Sequence, residues 1–416
     1  MADRFLKIDS DVAHDNKYGM VIWPDESRKL AGRRSNVYSL TPERIYLHKL
    51  MTSQLFRPFS LRSVTLPNRI VISPMCQYSA IDGNATDWHT IHLGQLAFSG
   101  AGMLIVEATG VELAGRISPG CLALGSDENE AALARVLASV RRHSSMPLAI
   151  QLGHAGRKAS NQVPWQGGRP LRLESGGWQT VAPSPIPHQE GDPVPQMLDT
   201  AGIARITAAF VDATRRAARL GFDAIELHMA HGYLLHQFLS PIANRRDDAY
   251  GGMLENRMRL PLEIFAAVRA VWPNEKPLGV RISATDWVPD GWDIEQSVVF
   301  AQALKRLGCD WIDASSGGIS PQQQLTIGPG FQVPFAERLR HDTGLPSMAV
   351  GLITEPEQAE NIIASGAADM VALGRSLLWN PHWPWQAAAK LGAWIAAPQQ
   401  YRRSVPQGVP QIFEQG

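Results

Sequence analysis

Eight short apolar segments, each followed by a longer helical pattern, predict an α/β fold in which the chain closes into a (β/α)8 barrel of the TIM type. Each segment is rich in Val, Ile and Leu and bounded by Gly, Pro or Asp, as expected of parallel strands covered on both faces. Eight such units within about 320 residues match this barrel, whose active site lies at the carboxyl ends of the strands. The predicted strands span residues 69–75, 103–109, 147–153, 224–230, 277–283, 311–317, 347–353 and 369–375.

The segments between these strands have the spacing of amphipathic helices. Residues 204–222 and 293–308 carry apolar side chains three and four positions apart and reach a Gly near their ends. A doubly wound open sheet is the alternative architecture. It is disfavoured because no G-x-G-x-x-G sequence follows the first strand.

Two connections are longer than a barrel needs and leave the carboxyl ends of strands. Residues 154–200, after strand three, are rich in Pro and Gly, and residues 240–257 form the second connection. We expect both to form a lid over the site, the first with a β-hairpin in it. After a last helix around residues 382–395 comes a tail too rich in Pro and Gln to belong to the core.

The chain therefore divides into three parts. Residues 1–53 are polar, show little periodicity and are predicted to form a poorly structured arm, so that Met51 is a possible native start. Residues 54–390 form the barrel, and residues 391–416 form the tail.

Composition excludes several classes of protein. The charges of the 39 basic and 39 acidic side chains cancel. This balance argues against a nucleic-acid or membrane-surface role, because both roles normally need a clustered excess of basic residues. The three cysteines, Cys76, Cys121 and Cys309, are widely separated, so neither a disulfide framework nor an iron-sulfur cluster is expected. With no bilayer-spanning run and no signal-peptide pattern, a cytoplasmic location is expected.

The stretch 224–233 carries the strongest chemical signal. Because side chains alternate along a strand, Glu226 and His228 should face the barrel lumen, with His231 and Tyr233 on the turn that follows. Two imidazoles and a phenol suit a site that polarises a carbonyl oxygen and protonates a neighbouring carbon. A zinc site is one alternative, although no third ligand stands at a suitable spacing, and two buried structural histidines are another.

Further polar residues lie near predicted strand ends. Gln151 and Arg281 each interrupt an apolar strand, and a buried arginine needs a partner such as Glu226 or Glu107. Gly351, Gly374 and Arg375 resemble the phosphate cradle of such barrels, for a flavin mononucleotide or a phosphorylated substrate. Cys76 and Tyr78 follow the first strand, although Cys76 could simply be a buried apolar side chain. His89 and His92 are expected to pack or cap a helix.

Together these motifs resemble the Old Yellow Enzyme family, in particular its thermophilic-like, xenobiotic-reductase branch. The resemblance covers residues 54–403 and rests on SPMCQYS, DWHTIHLG, HAGRK, ELHMAHGYLLHQFLSP, NRRDDAYGG, VGLI and LGR. It implies a TIM barrel that binds FMN non-covalently across the strand ends and takes electrons from NAD(P)H.

The resemblance also implies a role for each matching residue. His228 and His231 would grip the substrate's carbonyl oxygen, His228 beside the flavin, and Tyr233 would deliver a proton. Arg403 would reach a neighbouring subunit's site in a homodimer or homotetramer. Ile327 stands where some members have a Trp, which alters the shape of the substrate pocket. Contacts to FMN would come from Ser73, Pro74, Met75, Cys76, Ala108, Gln151, Arg281, Gly351, Gly374 and Arg375, and Cys76 and Tyr78 would also contact the substrate.

The predicted function is reduction of the C=C bond of α,β-unsaturated carbonyl or nitro compounds, by hydride transfer from flavin N5 and protonation by Tyr233. Alternatives are a related flavin oxidoreductase with another substrate class, a flavin-free phosphate-binding lyase or isomerase, and a catalytically dead scaffold. An aldolase, one kind of flavin-free lyase, is disfavoured because no well-placed Schiff-base lysine stands at a strand exit. The partner is a small molecule, with no nucleic acid, membrane or metal.

Overall fold

The eight predicted strands form one closed parallel barrel in a computed structural model that describes residues 53–414. The predicted arm, Ser53 apart, and the proposed start at Met51 lie outside the described residues. Each strand matches its predicted segment to within a few residues at either end. The barrel strands are β3 (Ile70–Ile72), β4 (Met103–Gly110), β5 (Leu148–Gly153), β8 (Ala224–Met229), β9 (Leu278–Ser283), β10 (Ile312–Ser315), β11 (Ser347–Ala349) and β12 (Met370–Leu373).

Side chains alternate between the two faces of each strand and so form two buried layers, one inside the barrel and one between the barrel and the helices. Ala224 packs inside the barrel with Val71 and Met103, whereas Ile225 and Leu227 face outward into the layer shared with the helices. Both faces are buried, so these strands are almost wholly apolar. The polar residues that interrupt them therefore lie on the lumen side, near the carboxyl ends.

Helices cover the barrel, and two of the long ones begin at aspartate caps. Asp199 and Asp293 accept hydrogen bonds from the backbone N–H groups of Gly202 and Gln296, which explains why the predicted helix at 204–222 begins earlier, at Thr200. The helices are α1 (Asp87–Ala97), α2 (Asp127–Arg141), α3 (Thr200–Arg219), α4 (Leu234–Leu239), α5 (Leu254–Val271), α6 (Ile294–Arg306), α7 (Val333–Thr343), α8 (Pro356–Ala364), α9 (Arg375–Trp379) and α10 (Trp383–Leu391). Within residues 53–414, no helix combines the length and apolarity that crossing a membrane requires.

A short hairpin that the sequence did not indicate closes the amino-terminal end of the barrel. Strands β1 (Phe59–Leu61) and β2 (Val64–Leu66) pair antiparallel. Leu61 and Leu66 pack, almost fully buried, against the innermost side chains of the lumen. The floor of the barrel is therefore sealed by apolar contacts.

The long connection after β5 contains, in place of the predicted β-hairpin, one isolated antiparallel bridge between Asn161 and Pro170. Its two short strands, β6 (Val181–Ala182) and β7 (Gln196–Met197), pair in parallel. The intervening residues 183–195 include five prolines, which disfavour a tight reversal and carry the chain round a wide loop. The connection still leaves the carboxyl end of β5, where a lid was expected.

The carboxyl-terminal tail folds back onto the barrel rather than leaving it. Ile412 and Phe413 are buried against Ala388 and Ala393, and Phe413 pairs with Ile395 in a parallel bridge. The expectation of a tail outside the core is therefore wrong for its last described residues, because two apolar side chains follow the Pro- and Gln-rich run.

We expect Phe413→Ala to destabilise the protein by about 3–5 kcal/mol, the usual cost of emptying a buried phenylalanine site. The ring also loses its edge contact with Trp385, whose centroid lies 4.9 Å away. Urea unfolding would measure the change. Trp379→Ala is the control, since that side chain is 91% exposed and should alter stability little. Equal effects of the two substitutions would contradict the packing described for the tail.

Candidate active site

His228, His231 and Tyr233 meet at the carboxyl end of β8. The Nε2 atom of His228 lies 3.4 Å from Nδ1 of His231, and the His228 ring packs edge-on against the Tyr233 ring at 4.9 Å. His228 is buried, whereas His231 and Tyr233 are half-buried. The three predicted side chains therefore form one compact cluster. Within residues 53–414, no group of three or more His, Cys, Asp or Glu side chains is arranged to hold a metal ion.

Hydrogen bonds orient both imidazoles. The backbone N–H of Ala230 donates to Nδ1 of His228 at 3.3 Å, which leaves the proton of the neutral ring on Nε2. Nε2 of His231 lies 2.7 Å from the Ser315 hydroxyl. Burial, with the nearby positive charge of Arg281, holds the pKa of both histidines well below the usual value. Both rings are therefore neutral near pH 7, each with an N–H to donate.

The turn that carries His231 depends on an uncommon backbone geometry. His231 has φ +58° and Gly232 has φ +73°, both in the left-handed region. A Cβ on Gly232 would lie only 2.1 Å from the carbonyl oxygen of Gly318, in the loop after β10. Glycine is therefore required at position 232 by both conformation and close approach.

We expect Gly232→Ala to cost about 2–5 kcal/mol, the sum of left-handed strain and a forced backbone shift, and to displace His231. Gly176→Ala is the matched control: Gly176 has φ +82° but no atom within 4 Å of an added Cβ. It should cost only about 1–2 kcal/mol. Chemical denaturation of both variants measures the difference, and equal costs would show that the contact with Gly318 is unimportant.

Lys158 belongs to the site, although the sequence analysis assigned it no role. Its ammonium group donates to the carbonyl oxygens of His231 at 2.8 Å and Gly318 at 3.0 Å, and lies 5.3 Å from the Tyr233 ring. Burial, assisted by neighbouring Arg157, lowers the pKa of Lys158 to about 8. Lys158 follows the exit of β5, but its ammonium group is held by two carbonyl groups, so it is not a Schiff-base lysine of the kind that an aldolase needs. The HAGRK motif, directly after β5, was the available signal.

A layer of buried charge lies between the histidines and the apolar floor. Arg281 is adjacent to His228 across the β8–β9 pairing, and its Nε lies 3.3 Å from Oδ2 of Asp313. Gln151 donates to Glu226 at 2.8 Å. Burial, and the negative charge of Asp313, raise the pKa of Glu226 to about 8. Glu226 and Asp313 therefore share a proton near neutral pH, so the two carboxyl groups together carry less negative charge opposite Arg281.

The partners suggested for Arg281 were partly wrong. Asp313 is the residue in contact with it, whereas Glu107 instead faces His89, with 3.4 Å between Oε1 and Nε2. His89 also accepts the backbone N–H of Thr86 and so caps α1, as predicted.

A cavity of about 310 Å³ adjoins the ends of β3, β11 and β12. One buried polar atom on its wall, Oγ of Ser73, has no hydrogen-bond partner within the described residues and is available to a bound group. Its volume falls within the range of cofactor sites. These features fit FMN, and seven of the eleven residues implied for its binding line the wall: Ser73, Pro74, Met75, Arg281, Gly351, Gly374 and Arg375.

The remaining predicted residues fall into two groups. Ala108 lines a small cleft together with His228 and Tyr233, and Tyr78 packs edge-on against Trp165 of the lid at 5.8 Å. Ile327 is 65% exposed and Arg403 is exposed on the tail. The structure of this chain does not bring these two into the histidine cluster, and their roles stay predictions.

Comparison with known proteins agrees with this architecture. Residues 54–393 match the NADH:flavin oxidoreductase / NADH oxidase family. An NADPH dehydrogenase from Geobacillus thermodenitrificans is 45% identical over 355 residues, 85% of this chain and 99% of the relative. A solved Old Yellow Enzyme homologue from Zymomonas mobilis aligns with a TM-score of 0.68 at 26% identity, covering 81% of this chain and 93% of that one.

A more distant solved structure shares the fold alone. A 2-naphthoyl-CoA reductase aligns with a TM-score of 0.73 at 21% identity, and this chain spans about half of its length, 52%, while 80% of this chain is covered. The matches at higher identity extend over nearly the whole length of the relatives. The chain therefore belongs to the NADH:flavin oxidoreductase / NADH oxidase family, the Old Yellow Enzyme family, and is an NAD(P)H-dependent flavin oxidoreductase with FMN as its cofactor.

Proposed function

We propose that this oxidoreductase is an ene-reductase, which reduces the C=C bond of alkenes conjugated to a carbonyl or nitro group. The observation that carries the proposal is the pair of neutral imidazoles beside a phenol, next to the cavity that fits FMN. Reduction of a conjugated alkene places negative charge on an oxygen and requires a proton on carbon. Two N–H donors and one O–H group supply those needs.

Each of the three side chains has a defined task in this proposal. His228 and His231 donate to the substrate oxygen, and because they are already oriented, little reorganisation accompanies the charge that develops there. Tyr233 donates its proton to the α-carbon, and Lys158 holds the His231 turn through two carbonyl groups. Bound FMN supplies the hydride, taken from NAD(P)H.

The test begins with the cofactor. The purified protein should be yellow, and heat denaturation should release FMN in about one equivalent per chain. The FMN-saturated protein should then consume NADPH or NADH only when an enone, enal, maleimide or nitroalkene is added under anaerobic conditions. A protein that takes up FMN but leaves every such alkene intact would rule out the ene-reductase proposal and point to another substrate class.

We also propose that the chain forms a homodimer or homotetramer in which Arg403 enters a neighbouring site. Its exposure on a tail that is anchored by Phe413 supports this role. Sedimentation would give the oligomeric state, and Arg403→Ala should raise KM for the enone if the arginine contacts substrate. A monomer in solution would exclude the arrangement.

A further inference from the structure

Two neighbouring residues of α4, to which no role has been given so far, hold the backbone of the His231 turn. His236 and Gln237 are both fully buried. The backbone N–H of Gly232 donates to Nδ1 of His236 at 2.8 Å, and its carbonyl oxygen accepts from the Gln237 amide at 2.7 Å. Both polar groups of Gly232, the residue between His231 and Tyr233, are therefore bound by side chains.

The peptide unit that joins His231 to Gly232 is held at both ends. Lys158 donates to its carbonyl oxygen at 2.8 Å, and His236 accepts from its N–H group. The left-handed φ of His231, +58°, is uncommon for a residue with a side chain and persists only where the surroundings hold it. Rotation of this peptide unit would move the His231 ring on one side and Tyr233 on the other.

A buried carboxylate lies on the far side of the His236 ring. Asp286, in the loop after β9, is fully buried, and its Oδ1 is 2.8 Å from Nε2 of His236. Its Oδ2 accepts from the Ser240 hydroxyl at 2.6 Å and from the backbone N–H of Trp292 at 2.7 Å. A buried carboxylate is tolerated when donors of this kind satisfy its oxygens, and they also fix its position.

These contacts allow His236 only one tautomer. Nδ1 accepts the Gly232 N–H and so carries no proton, whereas Nε2 must carry one in order to donate to Asp286. An ionised carboxylate can only accept, so Asp286 enforces the same choice. A carboxylate that sets the tautomer of an imidazole is familiar from hydrolytic triads, where the imidazole faces a nucleophile. Here the imidazole faces the backbone of the turn.

We propose that Asp286 and His236 are positioning residues for the reaction: Asp286 fixes the tautomer of His236, and His236 thereby fixes the turn that carries His231 and Tyr233. Neither residue touches substrate. This role rests on the proposed ene-reductase function, because it concerns the placement of an oxygen-binding imidazole and of the proton donor.

Asp286→Asn tests the proposal by exchanging a single atom. The backbone N–H of Trp292 can only donate, so the amide oxygen should take that side and the amide NH₂ should face His236. Nε2 of His236 must then accept, which moves the ring proton to Nδ1, opposite the Gly232 N–H. Two donors would face each other there, and the turn should shift.

The tautomer and the turnover would be measured on the same FMN-saturated proteins. In ¹⁵N-histidine-labelled protein, NMR shows which ring nitrogen carries the proton, and the His236 signals are those missing from His236→Asn or His236→Leu. We expect Nε2–H in the wild type and Nδ1–H in Asp286→Asn. We expect kcat for a cyclohexenone-like enone to fall roughly tenfold to a hundredfold in Asp286→Asn, with KM little changed, because the reacting groups are misplaced.

Asp293→Asn is the matched control, seven residues further along the chain. Asp293 accepts the backbone N–H of Gln296 at the start of α6, and asparagine caps a helix as well as aspartate does. This variant should keep kcat within about twofold of the wild type and leave the His236 tautomer unchanged.

The proposal is overturned if wild-type His236 carries its proton on Nδ1, or if folded Asp286→Asn keeps either the wild-type tautomer or the wild-type kcat. Should Asp286→Asn fail to fold, the wild-type spectrum and a second pair decide. The oxygen of His236→Asn can still accept from Gly232 and should preserve more turnover than His236→Leu; equal kcat values would contradict the role. A wild type that reduces no alkene would reject the proposed function alone, because the two tautomers would still test the dyad.

Discussion

Replacing His228 with alanine is expected to give a protein that still purifies yellow but turns over a cyclohexenone-like enone on the order of a hundredfold more slowly, or worse. The substitution removes one of two N–H donors aimed at the substrate oxygen. The FMN cavity keeps Ser73, Arg281 and the two glycines on its wall, so cofactor binding should survive. Steady-state turnover, with FMN content measured on the same sample, checks both statements.

The control for this prediction is His341→Ala. His341 is an exposed helix residue whose ring lies beside Asp342, away from the barrel mouth, and its loss should leave turnover unchanged. The loss in His228→Ala should fall mainly on kcat, because the donor acts on charge that develops during reaction. Full activity of a yellow His228→Ala protein would remove the histidine from the mechanism.

Tyr233→Phe is expected to slow reduction of the enone by about 10² to 10⁴, the range typical of a missing general acid. Phenylalanine keeps the edge contact with His228 at 4.9 Å and the aromatic face near Lys158, so only the hydroxyl proton is lost. Rapid-mixing of the reduced enzyme with enone isolates this step from reduction by NAD(P)H. The rate of reduction by NAD(P)H should remain unchanged.

Tyr250→Phe is the matched control for that experiment. The Tyr250 hydroxyl donates to Glu263 at 3.2 Å on the outside of the barrel, away from β8, and should not influence the reaction. If Tyr233→Phe reduces the enone within twofold of the wild-type rate, the proton comes from water and Tyr233 is only a wall of the site.

The fold was predictable because its signals are local. Buried parallel strands need continuous apolar runs, and those runs located all eight strands; alternation then placed Glu226 and His228 inside the barrel. The two histidines and the tyrosine could be grouped because they lie within six residues of one another. Neither inference required knowledge of how distant segments pack.

The features that were missed depend on contacts between distant segments. Asp313 meets Arg281 because β9 and β10 align these two residues side by side, a register that periodicity alone does not specify. Lys158 enters the site because the loop after β5 folds under the turn at His231. The parallel pairing of β6 with β7 likewise follows from the path of the lid, not from the composition of either strand.

The sealed floor has a consequence for the order of events. Leu61 and Leu66 close the amino-terminal end of the barrel, so substrates cannot approach the reacting groups through that end. We therefore expect the nicotinamide donor and the alkene acceptor to use the same open end, beneath the lid, and to bind in turn. Double-reciprocal plots at several fixed donor concentrations should then run parallel.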